Sequence, residues 1–177
     1  MAKVILGVGL PGSGKTTVLK PFAEKYAYTY ICPDDIRKEL LGDAGDQSKN
    51  REVWEEAYAQ TAVALREGHT VVFDATFAES HDRKRFIDFA RAQGATKVQG
   101  VFGAVPLEVA KERNRSRERV VPDFVVERMH DSLRKHPPVV EDGFDSIVDI
   151  NEFQELKRVE MEAEKNVVVK EFKPKLH

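Results

Sequence analysis

The stretch Gly9-Leu10-Pro11-Gly12-Ser13-Gly14-Lys15-Thr16 indicates which class of fold the chain adopts. It matches G-x-x-x-x-G-K-[ST], a pattern in which glycines let the backbone curl until successive N–H groups point inward at phosphate oxygens. A short apolar run, residues 4–8, precedes it and is typical of a strand buried on both faces. A helix is expected to follow, from residue 15 to about residue 26. A strand, a glycine-rich loop and a helix N-terminus in this order predict a nucleotide-phosphate site.

The residue types in the loop predict the contacts that each makes. Gly12, Ser13 and Gly14 are expected to surround the phosphates with backbone N–H groups, and Lys15 to reach the β- and γ-phosphates of ATP. The Thr16 hydroxyl is expected to ligate the accompanying Mg²⁺. The loop alone does not distinguish kinases from GTPases, ATPase motors or nucleotide switches.

Further along the chain, strand patterns alternate with helix patterns. The candidate strands are residues 29–32, 70–73, 97–102, 146–150 and 167–172, with a charged helical stretch between the last two. This alternation predicts an α/β fold, namely a P-loop kinase-type three-layer sandwich with a central parallel sheet of about four to five strands. In such sheets the ligand lies beyond the carboxyl ends of the strands.

The length of the chain predicts a single P-loop kinase domain spanning residues 1–177. Within it, residues 106–136 are expected to form an arginine-bearing lid, whereas residues 143–177 carry no motif that indicates a role. Side chains at three predicted helix starts, Asp34, Asn50 and Ser80, are expected to cap those helices.

Composition limits the classes of function. With 41% hydrophobic and 33% charged residues the chain has a soluble, globular composition, and its net charge of −2 provides no global positive field to recruit nucleic acid. Cys32 is the one cysteine, so no intrachain disulfide can form, and the five histidines have no cysteine partners at zinc spacing. The apolar run at residues 4–10 is too short to span a bilayer. These features predict a cytoplasmic protein with no membrane contact, and they do not indicate an oligomeric state.

Two charged residues follow the second predicted strand. Asp34 and Arg37 are three residues apart and would share one face of a helix. Phosphoryl transfer to an alcohol needs a carboxylate that accepts the hydroxyl proton and a cation that anchors the acceptor. Asp34 is therefore a candidate general base, and Arg37 is a candidate anchor for an anionic group beside it. An acidic helical turn with an incidental ion pair is the alternative.

Asp74 and Thr76 follow the third predicted strand. A carboxylate at this position either holds the water shell of the metal or orients the acceptor-binding arginine. Thr76 is a candidate contact for the backbone of the acceptor. The alternative for both residues is a purely structural turn or helix cap.

A third feature is the run Lys111-Glu112-Arg113-Asn114-Arg115-Ser116-Arg117-Glu118-Arg119. Arg113 and Arg117 are four residues apart, so on a helix they would share a face from which to neutralise charge that develops on the triphosphate. Arg115 and Arg119 would fall on another face and are expected to be solvated.

Taken in order, residues 9–17, 34–37, 74–76 and 113–122 resemble the kinase module of phage-type polynucleotide 5′-hydroxyl kinases. The resemblance implies that the loop, including Thr17, binds ATP with Mg²⁺, and that the acceptor is the 5′-hydroxyl end of RNA or DNA. It also implies the role of each site residue. Asp34 would be the general base, Arg37 would grip the phosphate 3′ of the accepting nucleotide, Asp74 would organise the acceptor site, and Arg117 would act on the donor phosphates.

The chain departs from that family's pattern at two positions. The family commonly carries Asp-Thr-Asn where this chain has Asp74-Ala75-Thr76, and Pro33 stands where a basic residue can occur. The stretch after Pro138 is expected to be too short for the end-healing domain that often accompanies such a kinase.

Two other functions fit the same residues. A P-loop small-molecule kinase would share the loop, the base and the lid arginines, and it would phosphorylate a sugar, antibiotic or metabolite alcohol. It requires a closed acceptor pocket, with Trp54 and Tyr58 as candidate walls, whereas a polynucleotide requires an open channel lined by Arg37 and further basic or aromatic residues. A non-enzymatic ATP-binding switch would leave Asp34 and Arg37 dispensable.

Overall fold

The computed structural model describes the backbone of residues 1–171 and the side chains of residues 1–165. Within these residues, five strands form one parallel sheet in the order β2-β3-β1-β4-β5. The strands are β1 (Lys3–Gly9), β2 (Thr29–Ile31), β3 (Val71–Asp74), β4 (Lys97–Gly103) and β5 (Ser146–Asp149). This arrangement confirms the predicted α/β fold of the P-loop kinase type.

Helices cover both faces of the sheet. One face packs against α1 (Lys15–Lys25) and α7 (Ile150–Glu171). The other packs against α2 (Pro33–Leu41), α3 (Asn50–Arg66), α4 (Ser80–Ala92), α5 (Leu107–Arg115) and α6 (Asp123–Lys135), which is followed by a 3-10 turn (Val140–Asp142). In the part of the chain that the structure describes, no helix combines the length and the apolar character that crossing a membrane requires.

The alternation of side chains along β1 builds a core on each face of the sheet. Val4, Leu6 and Val8 are buried in the larger core, whereas Ile5 belongs to the smaller core beneath α1 and α7. Burying each of these side chains stabilises the fold by about 1.5–3 kcal/mol. Because the strands are parallel, their carboxyl ends meet at one edge of the sheet. The loop after β1 therefore lies beside the residues that follow β2 and β3.

None of the three side chains predicted to cap a helix does so. α2 begins at Pro33, because proline lacks an N–H group and its fixed φ suits the first helical turn, and Asp34 lies inside that turn. Asn50 and Ser80 are the first residues of α3 and α4 rather than their cap residues. Their side chains bind Arg37 and Asp142 instead, so tertiary contacts outweigh local capping.

The predicted strand at residues 167–172 is wrong as far as residue 171, because α7 continues through Glu171; Phe172 lies outside the described residues. The valines at residues 167–169 have a high strand propensity, but they continue α7, which begins at Ile150. The propensity of so short a run determines secondary structure only weakly. The predicted strand that begins at residue 146 is confirmed as β5. The C-terminal segment thus adds the fifth strand and leads into α7, whose Ile150 and Phe153 fill the smaller core.

Candidate active site

Lys15 lies inside the phosphate loop at the start of α1. Its Nζ donates a hydrogen bond to the Leu10 carbonyl oxygen at 3.2 Å, and the side chain is almost fully buried. Burial lowers the pKa of Lys15, and the nearby Asp74 carboxylate opposes that shift. Among the described residues the buried Ser13 Oγ has no hydrogen-bond partner. A buried ammonium is stabilised by an anion, so the polar atoms of this loop fit the phosphates of ATP.

Gly12 packs the loop against the lid helix α5. Its φ is +80°, and a Cβ at this position would meet the Ala110 carbonyl oxygen and would lie 2.9 Å from the Asn114 backbone nitrogen. Arg113, from the same helix, extends over the loop: its Nη1 lies 4.0 Å from the position that a Cβ on Gly14 would take. Arg113 is therefore next to the residues predicted to bind phosphate.

Asp74 connects the loop to the second and third strands. Thr16 Oγ1 and Tyr30 Oη each donate a hydrogen bond to Asp74 Oδ2 at 2.6 Å. Burial and the Asp74 carboxylate raise the pKa of Tyr30, so the phenol stays protonated and remains a donor. Hydroxyl and carboxylate oxygens are the ligands that Mg²⁺ prefers beside phosphate oxygens. Thr16 with Asp74 therefore fits this ion and its water shell, although the described residues contain no cluster of three or more His, Cys, Asp or Glu that could hold a metal by themselves.

Asp34 and Arg37 lie on one face of α2, as predicted, and bind each other. Arg37 Nη1 donates to Asp34 Oδ1 at 2.7 Å and to the Ala44 carbonyl oxygen at 3.3 Å, while Nη2 donates to Asn50 Oδ1 at 2.8 Å. The Arg37 side chain is 3% exposed, and its buried Nε has no partner among the described residues. These contacts fix the guanidinium, and the guanidinium in turn fixes Oδ1 of Asp34.

The lid brings two further arginines to Asp34. The buried Asn114 side chain closes the turn after α5, because it donates to the Val121 carbonyl oxygen at 2.7 Å and accepts from the Val121 N–H at 3.1 Å. The turn carries Arg119, whose Nη1 donates to Asp34 Oδ1, and Arg117, whose Nη2 lies 3.6 Å from Asp34 Oδ2. Three arginines from two elements therefore surround one carboxylate.

This turn corrects the prediction made from helical spacing. α5 ends at Arg115, so Arg117 does not share a helical face with Arg113. Arg113 lies near the phosphate loop, and Arg117 lines the cavity. Arg119 was expected to be solvated, but it is only one-quarter exposed and contacts Asp34. Arg115 is largely exposed and pairs with Asp123 at 2.7 Å. The prediction continued the helix through residues 111–119, whereas the chain leaves the helix at Ser116.

A cavity of about 1020 Å³ joins the predicted site residues. Lys15, Thr16, Asp34, Arg37, Asp74, Thr76 and Arg117 all line it. The Thr76 carbonyl oxygen also accepts a hydrogen bond from the Gly9 N–H at 3.0 Å, so the segment after β3 is tied to the phosphate loop. Thr17 lies in the first turn of α1 with an exposed side chain and is not part of the cavity wall.

One wall of the cavity follows α3. Asn50, Trp54 and Tyr58 line it at four-residue intervals, which spans about 12 Å of helix. Trp54 also stacks on Phe73 with 6.0 Å between ring centroids, and Tyr58 packs edge-on against Phe86 at 5.5 Å. The two aromatic residues therefore belong to the core and present a remaining face to the cavity.

Four residues have contacts in the site that the sequence did not predict: Tyr30, Asn50, Asn114 and Arg119. Asn114 and Arg119 lie in the arginine run, so that run marked their neighbourhood but not their contacts. Tyr30 gave no signal and Asn50 indicated only a helix start, because their contacts in the site depend on how β2 pairs with β3 and how α2 meets α3.

Known proteins share both the sequence pattern and the fold. The family model AAA_33, described as an AAA domain, matches residues 4–136, which include the phosphate loop, Asp34, Asp74 and the lid. The cytidylate kinase of Methanocaldococcus jannaschii is 27% identical over 130 residues, which are 68% of this chain and 67% of that protein. The shikimate kinase of Aromatoleum aromaticum is 27% identical over 161 residues, which are 82% of this chain and 84% of that protein.

A similar fold is found in the structure of the Pnkp1/Rnl/Hen1 RNA repair complex. One chain of that structure matches with a TM-score of 0.68 at 20% sequence identity. The match covers 81% of this chain and 46% of the other, so this chain spans about half the length of that one.

Proposed function

The chain belongs to the AAA_33 family, whose members are P-loop kinase-type AAA domains, and we propose that it is an ATP-dependent polynucleotide 5′-hydroxyl kinase. The γ-phosphate passes from ATP to the 5′-hydroxyl oxygen of an RNA or DNA end, and the bond to the β-phosphate oxygen breaks, so that ADP leaves. The hydroxyl proton goes to Asp34. Lys15, Arg113 and Arg117 balance the charge of the donor phosphates, and Thr16 with Asp74 holds Mg²⁺.

Asp34 suits the role of general base because its two oxygens have different surroundings. Oδ1 is held by Arg37 and Arg119. Among the described residues Oδ2 accepts no hydrogen bond and lies 3.6 Å from the Arg117 guanidinium, so it can accept a hydrogen bond from the substrate hydroxyl. One oxygen therefore orients the carboxylate and the other takes the proton.

Arg37 suits the role of acceptor anchor. It lines the cavity beside Asp34, and its guanidinium is held in place by Asp34, Ala44 and Asn50. An oxygen of the phosphate 3′ of the accepting nucleotide would bind the guanidinium from the cavity, and a charge-assisted hydrogen bond is stronger than a neutral one. Asp74 and Thr76 complete the acceptor side of the site, next to the same cavity.

The observation that carries the proposal is the extent and lining of the cavity on the acceptor side. From the phosphate loop only Pro11, Lys15 and Thr16 line it, so most of its volume of about 1020 Å³ lies beyond the donor phosphates. Pockets for drug-sized ligands span roughly 300–1000 Å³, and a small alcohol would fill only part of this space. Six arginines and the faces of Trp54 and Tyr58 line this space, which suits the phosphates and bases of a single strand.

A P-loop small-molecule kinase is the second candidate. It is favoured by the sequence relatives, which are a cytidylate kinase and a shikimate kinase. The same loop, base and lid would serve a sugar, antibiotic or metabolite alcohol that binds near Asp34 and Arg37.

A transfer assay tests the proposal. ATP labelled on the γ-phosphate and Mg²⁺ are supplied with 5′-hydroxyl RNA, 5′-hydroxyl DNA or a panel of small acceptors that includes sugars, shikimate and cytidine monophosphate. Wild type is compared with Asp34→Asn and Arg37→Ala. Asp35→Asn is the matched control, because Asp35 is the neighbouring residue, is half exposed and lies 3.7 Å from Lys20.

We expect label on the 5′ end of the oligonucleotide, reduced roughly 10²- to 10⁴-fold in Asp34→Asn, reduced less in Arg37→Ala and retained in Asp35→Asn. Label on a small acceptor alone would assign the chain to the small-molecule kinases. If ATP binds but no acceptor is labelled, the ATP-binding switch becomes the better assignment.

A further inference from the structure

We infer that the outer part of the acceptor cavity binds a second backbone phosphate of the polynucleotide, through Arg85 of α4 and Arg128 of α6. The inference rests on the proposed function and adds a substrate requirement to it. The preferred acceptor would carry at least two phosphates on the 3′ side of its 5′-hydroxyl group, rather than the single phosphate that Arg37 accounts for.

The length of the cavity separates these arginines from Arg37. Arg37 binds Asn50 at one end of the α3 wall, and Tyr58 stands about two helical turns further along. Tyr58 packs against Phe86 of α4 with 5.5 Å between the ring centroids, so the adjacent Arg85 lies at the Tyr58 end of the wall. A stacked strand carries one phosphate for each ~3.4 Å of helix axis. A wall of about 12 Å can therefore accommodate more than one phosphate.

Arg85 and Arg128 also differ from the other arginines of the cavity. Those others are paired with carboxylates: Arg37, Arg117 and Arg119 with Asp34, and Arg51 with Glu55. Arg85 and Arg128 are exposed and, among residues 1–165, neither makes a salt bridge or a side-chain hydrogen bond. Their guanidinium groups are free to bind an anion that enters from solvent.

Carboxylates in the same outer region do not occupy these arginines. Three of them line it: Glu55, Glu79 and Asp82. Glu55 binds Arg51, Glu79 accepts a hydrogen bond from Ser132, and Asp82 lies 3.2 Å from His81 Nε2. The outer region therefore has little net charge, and it would recognise a phosphate by direct contact. Exposed contacts of this kind are weak, so the expected effect is several-fold.

Two acceptors that differ by a single phosphate test the inference. The first is a 5′-hydroxyl dinucleotide, and the second is the same dinucleotide with a 3′-terminal phosphate. Transfer kinetics at saturating ATP give kcat/KM for each acceptor with wild type, Arg85→Ala and Arg128→Ala. Lys84→Ala and Arg134→Ala are matched controls, because these exposed residues lie on the same two helices but do not line the cavity.

We expect the second phosphate to raise kcat/KM of the wild type roughly 3- to 10-fold, mainly through KM, and each arginine variant to lose most of that gain. The dinucleotide without the extra phosphate should react equally well with all five proteins. Equal preference in wild type and both arginine variants would overturn the inference and leave the proposed function standing. A loss for both acceptors alike would also overturn it, and failure of the wild type to label any polynucleotide end would remove the proposed function as well.

Discussion

Asp34 is surrounded by arginines that come from two separate parts of the chain. Arg37 approaches from its own helix, whereas Arg117 and Arg119 approach from the turn after α5. Arg37 is buried and has other partners, so it contributes a fixed position. Arg119 is partly exposed, and Asp34 is its one described partner. We therefore propose that the turn after α5 helps to orient Asp34.

Arg119→Ala tests this orienting contact. We expect kcat to fall roughly tenfold with little change in the KM for ATP, because the contact positions the base rather than the nucleotide. Steady-state kinetics with varied ATP separates the two parameters. Arg115→Ala is the control, since Arg115 lies in the same run but pairs with the exposed Asp123. A faster Arg119→Ala enzyme would mean that Arg119 masks Asp34 instead of orienting it.

Gly12→Ala tests the packing of the phosphate loop. The added methyl group meets the Ala110 carbonyl oxygen, so the loop must move away from α5 and its N–H groups lose their alignment. Gly68→Ala is a matched control, because φ at Gly68 is +82° and nothing lies within 4 Å of the new Cβ. We expect ATP affinity, measured by calorimetry, to fall at least roughly tenfold in Gly12→Ala alone. Gly68→Ala should lose only about 1–2 kcal/mol of unfolding free energy from backbone strain. Equal ATP binding in both variants would contradict this account.

At the scale of single residues, the sequence identifies candidates whose chemistry is local. The contacts expected of the phosphate loop stay a prediction, and they can be stated from the sequence because its glycines, lysine and threonine act within a few residues of one another. Arg119 was missed because its role depends on the turn that Asn114 closes with Val121, a contact across seven residues. Residue spacing predicts which side chains share a helical face only while the helix continues, and α5 ends at Arg115.

Arg83 and Asp142 connect several elements around the cavity. Both side chains are almost completely buried, and Arg83 Nε donates to Asp142 Oδ2 at 2.7 Å. The other nitrogens of Arg83 donate to the carbonyl oxygens of Phe77, Ala78 and His136. This cluster ties α4 to the segment after β3, to the end of α6 and to the 3-10 turn, so it supports the cavity wall without touching the proposed reacting atoms.

Asp142→Asn tests that cluster. Breaking a buried pair costs about 3–5 kcal/mol of unfolding free energy, which urea unfolding at neutral pH measures. Burial acts to raise the pKa of Asp142, but hydrogen bonds from Ser80 and Arg83 outweigh it and hold the pKa below the ordinary 3.8. The stabilisation is therefore complete above 3.8 and is lost as pH falls from there through the folded-state pKa. The difference between wild type and variant should shrink over that range.

Asp123→Asn provides the comparison for this prediction. Asp123 also has a lowered pKa, because Arg115 donates a hydrogen bond to it, but the pair lies on the surface of the lid. Surface pairs contribute little to stability, so this variant should unfold almost as wild type does. An equal loss of stability in the two variants would mean that the buried cluster contributes no more than a surface pair.

At the scale of elements, the sequence predicted what periodicity and burial determine. All five strands of the described sheet and the helices that follow them were located, because buried strands form short apolar runs bounded by turn residues. The helix caps were wrong because Asn50 and Ser80 make stronger contacts with distant charged residues than with their own backbone. The strand predicted from Val167 onward was wrong, because three consecutive valines do not indicate whether the preceding residues already form a helix.

At the scale of the whole molecule, charge is distributed unevenly. The net charge of the chain is −2, yet the acceptor cavity is lined by six arginines: Arg37, Arg51, Arg85, Arg117, Arg119 and Arg128. Most of them are already paired with carboxylates of the same cavity. Under the proposed function, a polynucleotide would therefore meet a short site for its end rather than an extended basic surface.

This distribution predicts a weak dependence of polynucleotide binding on salt. For single strands the slope of log K against log salt is about −0.7 for each phosphate that is neutralised, so two phosphates give a slope of roughly −1.4. Fluorescence anisotropy with a 5′-hydroxyl trinucleotide and a much longer strand, over a series of KCl concentrations, measures it. Because the proposed function takes only the end of the strand into the cavity, both lengths should give the same slope. Replacing both Arg85 and Arg128 by alanine should reduce its magnitude by about 0.7. A slope that steepens with strand length would instead reveal phosphate contacts outside the cavity.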